Sequence, residues 1–378
     1  MNISPDDFEK LGIDDSVLDE KGEQTSYKIK YVTRYVRQWA IIEAHRSEIQ
    51  QINFMDCMCN AGVYKDGDAC TALEVISIFN EIAQNFPAKR FVVYLNDKNT
   101  KRIDTFKAIY EGCIKPIKCA NLHVYARHID VNDYLDEVAT HPSRKQDLFS
   151  YGKCTLIYVD PYNFGTVQIS KLHNILKLKK NYCELLFNLF TSDYVRNIAK
   201  DTGRIQKCLG GFKPATKDEF INYVVNELRV GHIQYTFAYS FHTMKNVELY
   251  QILYATPNIR GLEVLKDSLW DVFDGEEFHR NHAQKTSDVE QISMFDTENP
   301  KEQRLQEYAQ EARRIICEEF KGQIVEYAVI EQKILEETML KASQIIEPVL
   351  KPLIDEEKIK KCNNVRKSNF KKDSYAFI

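Results

Sequence analysis

Long apolar runs are missing from this chain. No stretch approaches the roughly 18 residues that a membrane span requires, so a spanning protein is not expected. The N-terminus, MNISPDDFEKLGIDD, lacks the basic and apolar regions of a secretory signal. A dense cysteine framework is also missing. The ten cysteines include Cys57, Cys59, Cys70, Cys113 and Cys119, without paired C-x-x-C spacing. That usage reads as reduced thiols in a cytoplasmic protein. His279 and His282 stand as HRNH without the Cys or carboxylate set of a zinc site. No G-x-G-x-x-G turn is present to cradle a pyrophosphate, which disfavours a dinucleotide. No G-x-S-x-G elbow is present to carry a nucleophilic serine. An excess of positive charge is missing too. The net charge is −4, so any nucleic-acid contact must come from a local patch.

What is there has the balance of a folded protein: 44% hydrophobic and 28% charged residues over 378 positions, enough for two to three domains. Residues 1–25 read as a polar lead-in. A helix is predicted next, with Ile29, Val32, Val36 and Trp39 at helical spacing and Lys28, Lys30, Arg34 and Arg37 on its other faces, read as a solvated basic face. Five short buried runs follow, at 52–56, 91–96, 122–126, 155–160 and 183–190, separated by helical patterns at 72–83, 101–110 and 170–178. That alternation is the signature of βαβ units and a parallel sheet. Two further β-rich runs, 233–241 and 248–255, flank HTMKNV, a hairpin-length loop, and predict an antiparallel strand at the sheet's far end.

Beyond Trp270 the composition changes, and residues 274–300 read as a linker. Helical patterns at 304–320, 326–338 and 342–353 precede IKKCNNVRKSNFKKDSYAFI, which reads as a strand, a basic turn and a closing strand. Helices followed by a two-stranded wing predict a winged-helix-like module over 301–378. The doubly wound α/β domain would then occupy 26–273.

Chemistry gathers at the ends of the predicted strands, where a doubly wound sheet binds its ligands. The first strand ends at Asp56 in FMDCMCNAGVY, with Gly62 in the loop beyond. A carboxylate there suits a cationic cofactor, and S-adenosylmethionine, with its ammonium and sulfonium, fits better than a phosphate carrier. After the second strand, Asp97 in VVYLNDKN is placed either to accept both ribose hydroxyls or to cap a helix. After the third, Asp130 in ARHIDVNDYL is placed either to accept from an adenine amino group or, the slightly favoured reading, to cap the next helix. The fourth ends in LIYVDPYNFG. Asp160, Pro161, Tyr162 and Asn163 form the candidate catalytic set: a carboxylate and a carbonyl that can accept from a substrate amine, a stiff turn, and a ring on which a base can stack. Asn188, inside the fifth strand, needs a polar partner. In the C-terminal basic turn, Arg366, Lys367, Phe370, Lys371 and Lys372 are candidates for phosphate contact and base stacking.

These motifs resemble the three-Cys-motif partner family. FMDCMCNAGVYKDGDACTALEVI is similar to that family's opening segment, VDPYNFG to its Asp-Pro-Phe-Gly stretch, and FHTMKNVELYQILYATPNIRGLEVLKDSLW to its later Tyr- and Leu-rich strand and tryptophan helix. The resemblance spans roughly residues 27–378. It implies a Rossmann-like S-adenosylmethionine-dependent methyltransferase fold with a winged-helix-like end. Carried over by the resemblance, Asp56 and Gly62 become cofactor-loop residues, with Asn60 in the same cofactor loop, Asp97 a ribose ligand and Asp160 the carboxylate at the reacting edge. Asn60 stands where the family has its first loop glycine, and DPYN lacks the second proline of amino-methyltransferases. Two functions follow as expectations. One is methyl transfer to an exocyclic amine in nucleic acid. The other is a non-catalytic nucleic-acid or protein-binding partner with a degenerate methyltransferase core. A partner enzyme carrying the three-Cys motif is the companion implied.

Overall fold

A computed structural model of the chain describes residues 3–178, 182–198, 200, 202–242, 248–275, 299–362 and 370–378. The described chain divides into two compact units: residues 1–236 together with 248–257, and residues 237–247 together with 258–378.

The large sheet is built on strands β1 (Gln51–Asp56), β2 (Arg90–Asn96), β3 (Leu122–Arg127), β4 (Lys153–Val159), β5 (Tyr182–Leu189) and β7 (Glu248–Thr256), with β6 (Tyr235–His242) between the last two in sequence. The sheet order is β3-β2-β1-β4-β5-β7-β6. The first five strands pair in parallel, and β7 runs antiparallel to β5. This is a mixed α/β architecture with a seven-stranded, mostly parallel sheet. The antiparallel strand lies where the sequence placed it. Strands β1, β2 and β4 are buried along nearly their whole length, which is why they read as unbroken apolar runs rather than alternating ones.

Helices fill the crossovers: α3 (Thr71–Asn85) after β1, α4 (Thr100–Ile109) after β2, α5 (Val131–Thr140) and α6 (Pro142–Phe149) after β3, and α7 (Ile169–Leu176) after β4. Helix α2 (Glu23–His45) buries Ile29, Val32, Val36 and Trp39, the predicted stripe. The residues ahead of it are more structured than a polar lead-in suggests. They form α1 (Pro5–Leu11), with the Ser4 hydroxyl accepting from Asp7 N, and a 3-10 turn at Asp15–Val17. Ile3, Phe8 and Leu18 are buried. Three apolar side chains scattered among acidic ones give no periodicity for a sequence reading to find.

The second unit contains α11 (Ile259–Phe273), numbered after three helices between β5 and β6: α8 (Thr191–Asn197), α9 (Thr202–Cys208) and α10 (Lys217–Leu228). It continues with α12 (Pro300–Glu319), α13 (Tyr327–Glu337) and α14 (Lys351–Asp355). Its small sheet has three strands, β8 (Ile324–Glu326), β9 (Ile359–Lys361) and β10 (Ser374–Phe377), paired antiparallel in the order β8-β10-β9. The two strands expected around the basic turn, β9 and β10, are joined by a third, β8, a strand of three residues and too short to carry a pattern. The helix expected over 342–353 is broken into a 3-10 turn, a π-helical turn and α14. Pro348 and Pro352 lack the N–H that a continuous helix needs. Lys266, fully buried in α11, donates to Thr338 O and lies 3.8 Å over the Phe237 ring, and Trp270 Nε1 donates to Met339 O at 2.6 Å.

Candidate functional site

Strand order reverses between β1 and β4, since β1 continues outward to β2 and β3 while the chain returns to lay β4 on its other side. A cavity of about 280 Å³ opens at the carboxyl ends of these two strands. This is the position where open α/β sheets bind ligands. Its lining brings together Asp56 from the end of β1, Asn60 from the following loop, and Asp160, Pro161 and Tyr162 from the turn after β4.

Asp56 is almost fully buried, and its Oδ1 accepts from Met58 N at 3.0 Å. Loss of solvation pushes its carboxyl up to about 8, with Asp160 and Asp97 adding to the rise. Asp97, also buried, does not cap α4. Asn99 does so, accepting from Lys101 N. The Asp97 carboxylate instead accepts from Asn99 N at 2.8 Å and from Asn60 N at 3.3 Å, tying the β2 end to the loop after β1. Asn96 reinforces this tie by donating to Cys57 O and Ile129 O.

Asn60 is left-handed, with φ of 61°. Its amide holds that conformation from both ends: Oδ1 accepts from Ala61 N at 2.7 Å and Nδ2 donates to Asp19 at 2.8 Å. Gly62, at φ of 94°, does not line the cavity. A β-carbon there would lie 3.1 Å from the Phe106 ring and 3.5 Å from Leu73, so the glycine is required by the close approach of α3 and α4. Asp130 is exposed and caps α5 through Asn132 N, away from the cavity. Asn163 turns its carbonyl oxygen to Gly165 N and Thr166 Oγ1, which stiffens the turn after β4.

Asp160 is held from two sides. Asn188 Nδ2 donates to its Oδ1 at 2.8 Å, and the Lys28 ammonium lies 2.5 Å from its Oδ2. Asn188 is oriented in turn by the buried Tyr31 hydroxyl at 3.0 Å. The partner expected for Asn188 is therefore the candidate catalytic carboxylate itself. Lys28 corrects the reading of a solvated basic face: its side chain is only 18% exposed and points into the cavity.

Three further residues join from places the sequence did not flag. Asp19, in the lead-in, accepts from Arg102 Nη2 at 2.8 Å and from the Tyr162 hydroxyl at 3.2 Å, as well as from Asn60. Glu20 lines the cavity beside it. Arg102, on α4, donates to the Tyr162 hydroxyl and lies 4.0 Å from Asp97. Cys57 and Cys59 are buried, and burial pushes both thiols well up, as packing residues require. None of the ten cysteines forms a disulfide. Among the described residues no cluster of three or more metal-ligating side chains occurs, and no helix is long and apolar enough to cross a membrane.

Of the basic turn in the second unit, Arg366 and Lys367 lie outside the described residues, as do His279 and His282. Phe370, Lys371 and Lys372 form a 3-10 turn ahead of β10, where Lys361 Nζ sits 3.3 Å from the centre of the Phe370 ring and covers one of its faces.

No family model matches this chain, and no curated protein matches it. Solved structures that resemble it include a DUF574 family protein from Streptomyces avermitilis, 11% identical over 59% of this chain and 81% of that one, with a TM-score of 0.33. A DUF519 protein from Legionella pneumophila is 12% identical over 68% of this chain and 93% of that one, with a TM-score of 0.35. Loganic acid methyltransferase with SAH is 10% identical over 75% and 95%, with a TM-score of 0.29.

Proposed function

We propose that the first unit binds S-adenosylmethionine at the ends of β1 and β2 and transfers its methyl group to an amine held at Asp160. One observation carries this reading: Asp56 and Asp160 line one cavity at the reversal of strand order, with Asp97 bonded to the same loop. The cofactor supplies an electrophilic methyl group on a cationic sulfur. Asp56 is placed to meet its ammonium, and Asp97 to accept from ribose hydroxyls. Lys28, displaced from Asp160, is within the same cavity for a carboxylate. Asp160 orients the acceptor nitrogen and stabilises the positive charge that grows on it, while Pro161 stiffens its turn. The chain's resemblance to the three-Cys-motif partner family supports the same reading.

Asp160→Ala tests the division of labour. Methyl transfer should be abolished while cofactor affinity stays within about threefold, a margin below 1 kcal/mol. Collapse of cofactor affinity in this variant would overturn the assignment of Asp160 to the acceptor.

A second reading, a non-catalytic nucleic-acid or protein-binding partner with a degenerate core, is favoured by two observations. Lys28 fills the acceptor side of Asp160, and Asn60 is locked to Asp19 where a cofactor's backbone contact would lie. The wider proposal of a nucleic-acid partner, or of a partner enzyme carrying the three-Cys motif, rests on the basic run from Lys358 to Lys372 and on the family resemblance.

A further inference from the structure

The proposed function leaves the acceptor amine unspecified, and the cavity constrains it. The acceptor side of Asp160 is filled by a primary alkyl ammonium of the chain itself: Lys28 Nζ at 2.5 Å from Oδ2, with both side chains 18% exposed. Four carboxyl groups line the cavity, those of Asp19, Glu20, Asp160 and Asp56, the last held protonated near neutral pH by its burial, against the single ammonium of Lys28. Its remaining walls include the rings of Tyr64, Tyr158, Tyr162 and Phe190. Aromatic faces and carboxylates together attract a compact cation. They repel a phosphodiester, whose charges would have to lie close to any base inserted here. The cations beside these carboxyls, Lys28, Arg102 and Lys65, are already paired with Asp160, Asp19 and Glu20.

We infer, on the footing of the proposed function, that the acceptor is the terminal amine of an alkyl chain. A lysine side chain or a small polyamine would displace Lys28 from Asp160, and Lys28 marks the seat in its absence. The step balances without a further reagent. The ammonium releases one proton through Asp160 to water. Its freed lone pair forms the N–C bond as the S–C bond breaks, and the sulfonium leaves as a neutral thioether. Because the free amine is the nucleophile, the rate should rise with pH below the acceptor's own pKa.

The test gives the full-length protein S-adenosylmethionine labelled in its methyl group, with four acceptor conditions: poly-L-lysine, spermidine, a single-stranded DNA 20-mer, or none. Cofactor binding is followed in parallel by calorimetry. The expected result is label in poly-L-lysine or spermidine at ten or more times the DNA level, the two arms separating a protein from a small-molecule source. A methyl group on the peptide bearing Lys28 when no acceptor is added also supports the inference, since that amine is of the same class. Lys28→Arg should raise KM for the amine several-fold, because a bulkier and permanently charged competitor holds the seat; an unchanged KM for the amine would overturn the displacement of Lys28. Label in DNA and not in amines overturns the inference. Cofactor binding with no transfer to any acceptor overturns it and leaves the non-catalytic reading. Absence of cofactor binding instead removes the proposed function beneath it.

Discussion

Asp56 carries a buried carboxyl at the mouth of β1, and Asp56→Asn exposes the cost of burying it. The carboxyl is 2% exposed and its ordinary value of 3.8 is pushed up to about 8, chiefly by burial. Between these two values the folded protein keeps the proton that the unfolded chain has already released. Stability therefore falls as pH rises from about 4 to about 8 and is flat beyond. At 1.36 kcal/mol per unit, the loss across that window is about 3–6 kcal/mol. Asparagine keeps the shape and the acceptor oxygen for Met58 N but does not titrate. Its extra N–H, if unpaired, costs about 1–3 kcal/mol at every pH. Urea denaturation of wild type and variant at pH 4.5, 6 and 8 should give curves that cross. The variant should be equal or weaker at the acid end and more stable by about 2–4 kcal/mol at pH 8, while losing affinity for a cationic ligand. The difference between the two proteins isolates Asp56 from every other titrating group. A difference that stays constant from pH 4.5 to 8 would refute the reasoning.

Glu184 predicts a second, separable slope. Buried against the Tyr35 and Tyr254 hydroxyls and accepting from Thr256 Oγ1 at 2.8 Å, it is pushed up to about 7 from 4.5. Glu184→Gln should remove a loss of stability of about 3 kcal/mol between pH 4.5 and 7, read by thermal melts across that range; an unchanged slope would contradict the burial account. Gly62→Ala should cost about 1–3 kcal/mol, because alanine meets both a left-handed φ and the Phe106 ring. An unchanged denaturation midpoint would show that α4 gives way freely.

The sheet was legible in the sequence because its buried central strands, β1, β2 and β4, leave unbroken apolar runs, and each of the seven runs lies within a residue or two of its strand. The carboxylates at the strand ends were legible for the same reason: Asp56 and Asp160 close apolar runs directly, and Asp97 follows one after Asn96. Asp19, Glu20 and Arg102 were not, because nothing in a local window joins residue 19 to residue 102. Lys28 was assigned correctly to a face other than the apolar stripe, yet periodicity cannot say that this face meets the end of β4. The two readings of Asp97 and Asp130 could not be separated from spacing. The structure gives the cap of α4 to Asn99 and the cap of α5 to Asp130 itself. Residues too few to carry a period, such as the three of β8, stayed invisible.

The central proposal is that the cavity lined by Asp56 and Asp160, with Asp97 bonded to the loop at its edge, binds S-adenosylmethionine. Calorimetric titration of the cofactor into the wild-type protein and into Asp97→Ala, with a thermal melt to establish that both are folded, tests it most directly. The account predicts saturable binding to the wild type, weakened in the variant by about 1.5–3 kcal/mol, the worth of hydrogen bonds to a charged group. No heat of binding to folded wild-type protein at millimolar cofactor would contradict it.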